Sequence, residues 1–259
     1  MRALAVILHY GRPELARQLA ESLIRPEPEV RERVLVYDNA APEPYAGAWR
    51  RAPENLYWAG ALAWCLEAAR EKGFTHLWFL NNDIRFVSPP PFLSRAEACL
   101  VELERRLGKT VALWSPAALR NPYHPQMCPA ADAEAVLTPL VDGIAPLLSL
   151  DAVDAVGGVD AGDNPRGYGA DMWLSLRLAR AGWATVVDRR LAVRHRYHTT
   201  ARAVPGFMET AAAQEDAFLT RRLGPGWRNV LEQLKRKVTP LVAGSVLSGS
   251  ENLQQQEQQ

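Results

Sequence analysis

His76-Leu-Trp-Phe-Leu-Asn-Asn-Asp83 is an apolar run that stops abruptly at three polar residues. A continuous apolar run of this length marks a strand buried on both faces, because a half-solvated strand alternates apolar and polar positions. Two similar runs precede it. Leu4-Ala-Val-Ile-Leu8 leads to His9, and Arg33-Val-Leu-Val-Tyr37 ends at Asp38-Asn39. Helix-like segments lie between them. Pro13 suits the first position of a helix through Leu23, where a missing N–H costs nothing. A second helix, from about Ala59 to Lys72, closes at Gly73. A third follows Pro89-Pro90-Pro91, runs to about Leu107 and precedes a fourth strand at Thr110 to Trp114. This alternation predicts an α/β fold with a mostly parallel sheet and helices on both faces. Ligands of such sheets lie outside the carboxyl ends of the strands. His9, Asp38-Asn39 and Asn81-Asn82-Asp83 all fall there.

Beyond Trp114 the texture changes. Residues 116–135 carry four prolines and read as loop. A mixed apolar stretch, Val136 to Leu150, gives way to turn-rich sequence around Gly157-Gly158 and Asp163 to Gly167. A helix from about Ala170 to Ala181 ends at Gly182, and two short strands follow at Ala184–Val187 and Leu191–His195. Two further helices are expected, at about Phe207–Leu223 and Trp227–Val238. After Gly244 the chain turns Ser/Gly-rich and then Gln-rich, a composition expected to be disordered.

The 259 residues are 48% hydrophobic and 23% charged, an ordinary globular balance that excludes collagen-like and wholly disordered classes. Lys and Arg number 30 against 29 Asp and Glu, so no basic excess marks a nucleic-acid binder. Cys65, Cys99 and Cys128 are odd in number and lack CxxC spacing, which argues against a disulfide framework or a zinc site. No stretch approaches 18 uninterrupted apolar residues, and the run Ala3–Leu8 is too short for a signal-peptide core; a cytoplasmic location is expected. No GxGxxG and no P-loop follows any strand, which removes the commonest nucleotide-binding classes of parallel sheet. Of the eight tryptophans, Trp64, Trp78, Trp114 and Trp173 are placed in the core and Trp58 near the site.

Seven motifs together resemble the inverting family 2 glycosyltransferases of GT-A fold, in particular their rhamnosyltransferase-like branch. They are Arg12-Pro13-Glu14 after the opening strand, Val34-Leu-Val-Tyr-Asp-Asn39, Glu54-Asn-Leu-Tyr-Trp-Ala-Gly60, Leu80-Asn-Asn-Asp-Ile84, Val156-Gly-Gly-Val-Asp160, Tyr168-Gly-Ala-Asp171 with Leu174-Ser-Leu-Arg-Leu178 and Ala181-Gly182, and Val193-Arg-His195. The resemblance spans roughly residues 3–200. It implies a GT-A domain over 1–200, with a nucleotide-binding half (1–115) and an acceptor half (116–200), followed by C-terminal helices (201–240) and a tail (241–259).

The resemblance also implies roles. Asp38 matches the carboxylate that binds the nucleotide base, and Asn55 and Gly60 match the loop lining the donor pocket. Asp83 matches the last position of the metal-binding acidic motif, with Asn81 and Asn82 before it. Asp171 matches the carboxylate that deprotonates the acceptor hydroxyl, and His195 the histidine completing the metal or diphosphate site. Mg²⁺ or Mn²⁺ would neutralise charge on a departing diphosphate. Arg194, within Arg194-His-Arg-Tyr-His198, reads as a cation for that diphosphate, with His198 a rival to His195. His9, at its strand end, is a further candidate for the donor pocket, although packing would equally explain it. The sequence departs from the family pattern in three places: Asn81 and Ala170 stand where acids are expected, and the pair Tyr57-Trp58 replaces a smaller one.

The implied partners are a nucleoside-diphosphate sugar and a hydroxyl acceptor that is a polysaccharide, a lipid-linked glycan or a small molecule. The basic helix with Arg228, Lys235, Arg236 and Lys237 is compatible with contact at the inner face of a membrane. A homodimer is equally compatible with the sequence. Two alternatives stay open at this point, a nucleotidyltransferase and a non-catalytic relative that binds sugar nucleotide or glycan.

Overall fold

The computed structural model describes residues 1–160, 162–196 and 205–242. Its elements run β1 (Ala3–His9), α1 (Pro13–Ile24), a 3-10 segment (Pro28–Arg33), β2 (Val34–Asp38), β3 (Arg50–Arg51), α2 (Tyr57–Glu71), β4 (His76–Asn81), β5 (Ile84–Phe86), α3 (Leu93–Leu107) and β6 (Val111–Ala118). They continue with a short 3-10 turn (Pro125–Met127), β7 (Ala135–Leu137), β8 (Leu147–Ser149), α4 (Leu150–Ala155), α5 (Ala170–Arg180), β9 (Ala184–His195), α6 (Phe207–Leu223), α7 (Trp227–Lys235) and β10 (Thr239–Leu241).

All strands join one sheet in the order β10-β7-β9-β6-β8-β4-β1-β2-β3, with β5 also paired to β9. β1 pairs in parallel with β2 and β4, as the buried runs predict, and every residue of β1 except Leu8 is buried. Burial of successive residues requires cover on both faces. Helices supply it: α1 packs on β1 and β2, α2 on β4 and β1, and α3 on β6.

The fourth predicted strand, β6, does not pair with β4. The short β8 lies antiparallel between them, its Leu147 opposite both Trp78 and Trp114. Residues just before β8 extend this contact, Pro146 and Ile144 accepting hydrogen bonds from the Phe79 and Asn81 amides at 2.9 and 3.1 Å.

The two short strands expected after residue 184 are one continuous β9. Asp188 at its middle reads as a break, yet the side chain is fully buried and satisfied: Trp114 Nε1 donates to it at 3.0 Å and Arg190 forms an ion pair at 2.8 Å. α4 and β10 are additions to the predicted elements. Ser149 caps α4, its Oγ accepting from the Ala152 amide. β10 pairs with β7, so the segment after α7 becomes an outer strand of the sheet. The Gln-rich tail falls outside the described residues.

The core centres on Trp78 and Trp114, both fully buried, with ring centroids 6.0 Å apart at 73°. A second apolar cluster, including Leu140, Met172, Leu176, Phe218, Leu219, Trp227 and Leu231, fastens α6 and α7 onto α5. Among the described residues no helix is long and apolar enough to cross a membrane.

Trp78 also packs edge-on against Phe86 and donates its indole N–H to the Ala145 carbonyl at 3.0 Å. Trp78→Ala therefore removes a large core ring and strands a buried acceptor. The expected cost is about 3–5 kcal/mol, read as a lower urea midpoint at unchanged slope.

Candidate active site

The strand ends converge as the sequence predicts, but several of their polar groups are spent on holding loops. Asp38 is fully buried. Its Oδ1 accepts from the Ala41 amide at 2.8 Å; its Oδ2 accepts from the Tyr45 amide at 3.0 Å and from Arg51 at 2.7 Å. A carboxylate so engaged orders the loop after β2 and offers no free face to a base. Asn55 Oδ1 accepts from the Tyr57 amide and from Asn39 Nδ2, while Asn39 Oδ1 accepts from the Leu56 amide. This lock holds Tyr57 at φ +52°, a left-handed conformation unusual for a side-chain-bearing residue. Gly60 lies in the first turn of α2, where a Cβ would come within 3.1 Å of Leu56 Cβ.

His9 and Asn82 are buried together. The His9 ring meets the Glu43 carbonyl at 2.8 Å and Asn82 Nδ2 at 3.4 Å, tying the ends of β1 and β4. Packing and local hydrogen bonding account for both. Asn81 ends β4 half-buried, its backbone amide bonded to Ile144.

Asp83 and His195 meet across the turn between β4 and β5. Ile84 lies opposite His195 in the β5–β9 pair, which brings His195 Nε2 to 2.9 Å from Asp83 Oδ1. A carboxylate oxygen beside an imidazole nitrogen is a donor set suited to a divalent cation such as Mn²⁺ or Mg²⁺. Among the described residues no group of three or more His, Cys, Asp or Glu side chains is arranged around a metal. A cation held by this pair would therefore need further oxygen donors from outside the pair, such as water or a bound ligand. Asn81 makes no hydrogen bond to the pair. Arg194 sits opposite Arg85 and both are exposed, so the alternation along β9 turns Arg194 away from the face that carries His195. His198 lies outside the described residues.

Asp171 opens α5, where the helix dipole favours an anion. Its Oδ2 accepts from the Gly143 amide at 2.8 Å, and the Gly143 carbonyl accepts from Trp58 Nε1 at 2.9 Å. A Cβ on Gly143 would lie 2.6 Å from the Trp58 ring and 3.1 Å from Asp171 Cβ. Only glycine allows so close an approach. Trp58, expected near the site, is in this way a wall of it.

Burial and the nearby charge of Asp142 raise the Asp171 carboxyl to about 6, against the opposing pull of His124 and two backbone amides. Asp142 is raised in turn, chiefly by burial, while Asn121 and His195 favour its charged form. Asn121 links this group to the loop 119–129: its Nδ2 donates to Asp142 Oδ2 at 2.6 Å and its Oδ1 accepts from the Tyr123 and His124 amides. Glu215, on α6, is pushed up to about 7 by burial and by Asp171. Asp142 and Glu215 are not among the residues marked by the sequence. Asp142 hides in an apolar stretch, and Glu215 reaches the site only because α6 folds back on α5.

No known family model matches the chain. Uncharacterized proteins of Mycobacterium bovis and Mycobacterium tuberculosis are 31% identical over 166 residues, and the match covers 62% of this chain and 62% of theirs. Among solved structures, the mannosyltransferase PcManGT from Pyrobaculum calidifontis, in complex with GDP-Man and Mn²⁺, superposes with a TM-score of 0.58 at 16% identity, over 85% of this chain and 64% of that one. GalNAc-T7 with UDP, GalNAc and Mn²⁺ gives 0.55 at 12% identity, over 76% of this chain and 44% of that one. The architecture is the GT-A fold. At these identities the likeness shows the fold alone.

A carboxyl raised from 3.8 to about 6 means that the native state binds its proton more tightly than the unfolded chain does. The stability this proton confers is complete below pH 4 and is lost as pH rises through 6. Asp171→Asn keeps an oxygen for the Gly143 amide and removes the charge. Relative to wild type, the variant is expected to gain about 1–3 kcal/mol between pH 4 and pH 7.5, measured by urea denaturation at both values. A stability difference independent of pH would contradict this.

Proposed function

We propose that the chain is a glycosyltransferase that moves a sugar from a nucleoside-diphosphate sugar to an acceptor hydroxyl, with inversion in one displacement. The observation that carries this reading is a pairing of two sites within a GT-A fold. The Asp83–His195 pair sits at the carboxyl end of the sheet, and Asp171 is anchored to the Gly143 amide, next to Asp142. Asp142 links the two: His195 favours its charged form, and its charge in turn raises Asp171.

The chemistry follows from those residues. The acceptor oxygen bonds to the anomeric carbon as the bond to the diphosphate breaks, and the diphosphate leaves with the electron pair. Asp171 takes the hydroxyl proton. With its carboxyl near 6 it is largely ionised at neutral pH, yet basic enough to be a useful proton acceptor. Its second task is placement: a fixed carboxylate converts a chance encounter into an aligned attack. A divalent cation at Asp83 and His195 would neutralise charge on the leaving diphosphate. The loop 119–129, clamped by Asn121, walls the same region. The branch resembling rhamnosyltransferases is the reading we favour for the donor, with a polysaccharide, lipid-linked or small-molecule acceptor.

The test is transfer itself. Thermal stabilisation by UDP, GDP, dTDP and their sugars, with and without Mn²⁺, identifies the donor; a ligand at about 100 times its Kd adds about 2.7 kcal/mol. Asp83→Ala is expected to abolish the Mn²⁺-dependent part of the shift. Asp171→Asn is expected to bind donor normally while turnover falls about 10²–10⁴-fold. The wild-type rate should fall on the acid side with an apparent pKa near 6. Undiminished turnover by a folded Asp171→Asn protein would sink the proposal. Donor binding without turnover in wild type would instead identify a non-catalytic sugar-nucleotide binder.

A further inference from the structure

Arg166 stands on the turn that leads into α5, and its charge is unusual in having no counterpart. Among the described residues, the more enclosed guanidinium groups are matched: Arg106 with Glu134, Arg190 with Asp188, Arg222 with Asp160, and Arg177 with the Val156 and Gly158 carbonyls. Arg166 has neither an ion pair nor a hydrogen bond among the described residues, and its Nε is buried without a partner. What holds it is aromatic. The guanidinium lies 5.8 Å from the centre of the Tyr57 ring and 5.3 Å from that of Phe207. Tyr57 and Phe207 are themselves 6.1 Å apart, and Tyr168 closes on Phe207 at 6.2 Å. Ring faces orient a guanidinium but accept none of its five N–H bonds in its own plane.

The cradle is also stiff. Tyr57 is locked in a left-handed conformation by Asn55, and Gly167, at φ +76°, presses so closely on α2 that a Cβ would come within 3.1 Å of the Ala59 amide. The position of Arg166 is thus fixed relative to Asp171, five residues on. A planar, unpaired, pre-oriented guanidinium suits an oxyanion that accepts two parallel hydrogen bonds.

We infer that Arg166, framed by Tyr57 and Phe207, is an anion subsite that takes a phosphate or carboxylate group carried by the acceptor. This rests on the transferase reading, because it is Asp171, in the first turn of the helix that follows, that faces the attacking hydroxyl. The donor diphosphate is assigned elsewhere, to Asp83 and His195. Tyr168 lies between Asp171 and this cradle: burial, Glu215, Tyr123 and, last, Asp171 raise its hydroxyl, while its ring packs on Phe207.

Calorimetric titration of wild type, Arg166→Lys and Arg166→Met with inorganic phosphate and with D-glucuronate tests the subsite. UDP and GDP with Mn²⁺ are titrated into the same three proteins. Wild type is expected to bind one of the two anions saturably; Arg166→Met weakens it by about tenfold or more, and Arg166→Lys, which keeps charge but loses the fork, falls between. Preference for phosphate or for glucuronate tells which group the acceptor carries. Nucleoside-diphosphate affinity should be equal in all three proteins. Anion binding by Arg166→Met equal to wild type, or none by wild type at millimolar concentration, overturns the inference. A parallel loss of nucleotide affinity in Arg166→Met moves the residue to the donor and overturns the acceptor assignment. Failure of wild type to bind either nucleotide strikes at the transfer reaction alone, because the anion titrations are read without it.

Discussion

The peptide unit of Gly143 joins three parts of the molecule. Its N–H fixes Asp171 at the start of α5, its C=O holds the Trp58 indole on α2, and its Cα leaves no room for a side chain. One residue further along, the Ile144 carbonyl takes the amide of Asn81 at the end of β4. The floor of the site is therefore set by backbone groups, which move only if the sheet moves. A carboxylate hung from such a floor has little freedom to turn.

The electrostatics divide the acids of the site into two kinds. Asp38 and Asp188 are buried with full sets of donors, and their charge is compensated by Arg51 and Arg190. They serve the fold. Asp171, Asp142 and Glu215 are withdrawn from water with fewer donors and with one another's charge nearby, and all three are raised. Their mutual repulsion opposes folding at neutral pH, which is the usual signature of groups arranged for chemistry or binding rather than for stability.

The parallel half of the sheet was legible because fully buried strands leave an unambiguous apolar run, and because Pro13 and Gly73 punctuate the helices between them. β8 was not legible: three residues paired antiparallel with strands distant in sequence carry no periodic signal of their own. β9 looked like two strands because the charge at Asp188 is cancelled only by tertiary partners, Trp114 and Arg190. The same limit governs the site. Asp83, His195 and Asp171 stand in recognisable motifs, and the structure brings the first two into contact. Asp38, by contrast, sits in its motif but spends both oxygens on its own loop. Asp142 and Glu215 have no spacing that marks them, since what makes them notable is burial beside another acid.

The place of β8 has a consequence for how the chain reaches this state. The strand sits in the middle of the sheet yet is made from residues 147–149, well after its neighbours β4 and β6. Until it arrives, β4 presents an unpaired edge of buried-type residues, a ready template for another chain. The central closure is a non-local pairing, the kind that slows folding. During synthesis the residues before β8 must wait, with β4 exposed along one side, until residues 147–149 have emerged.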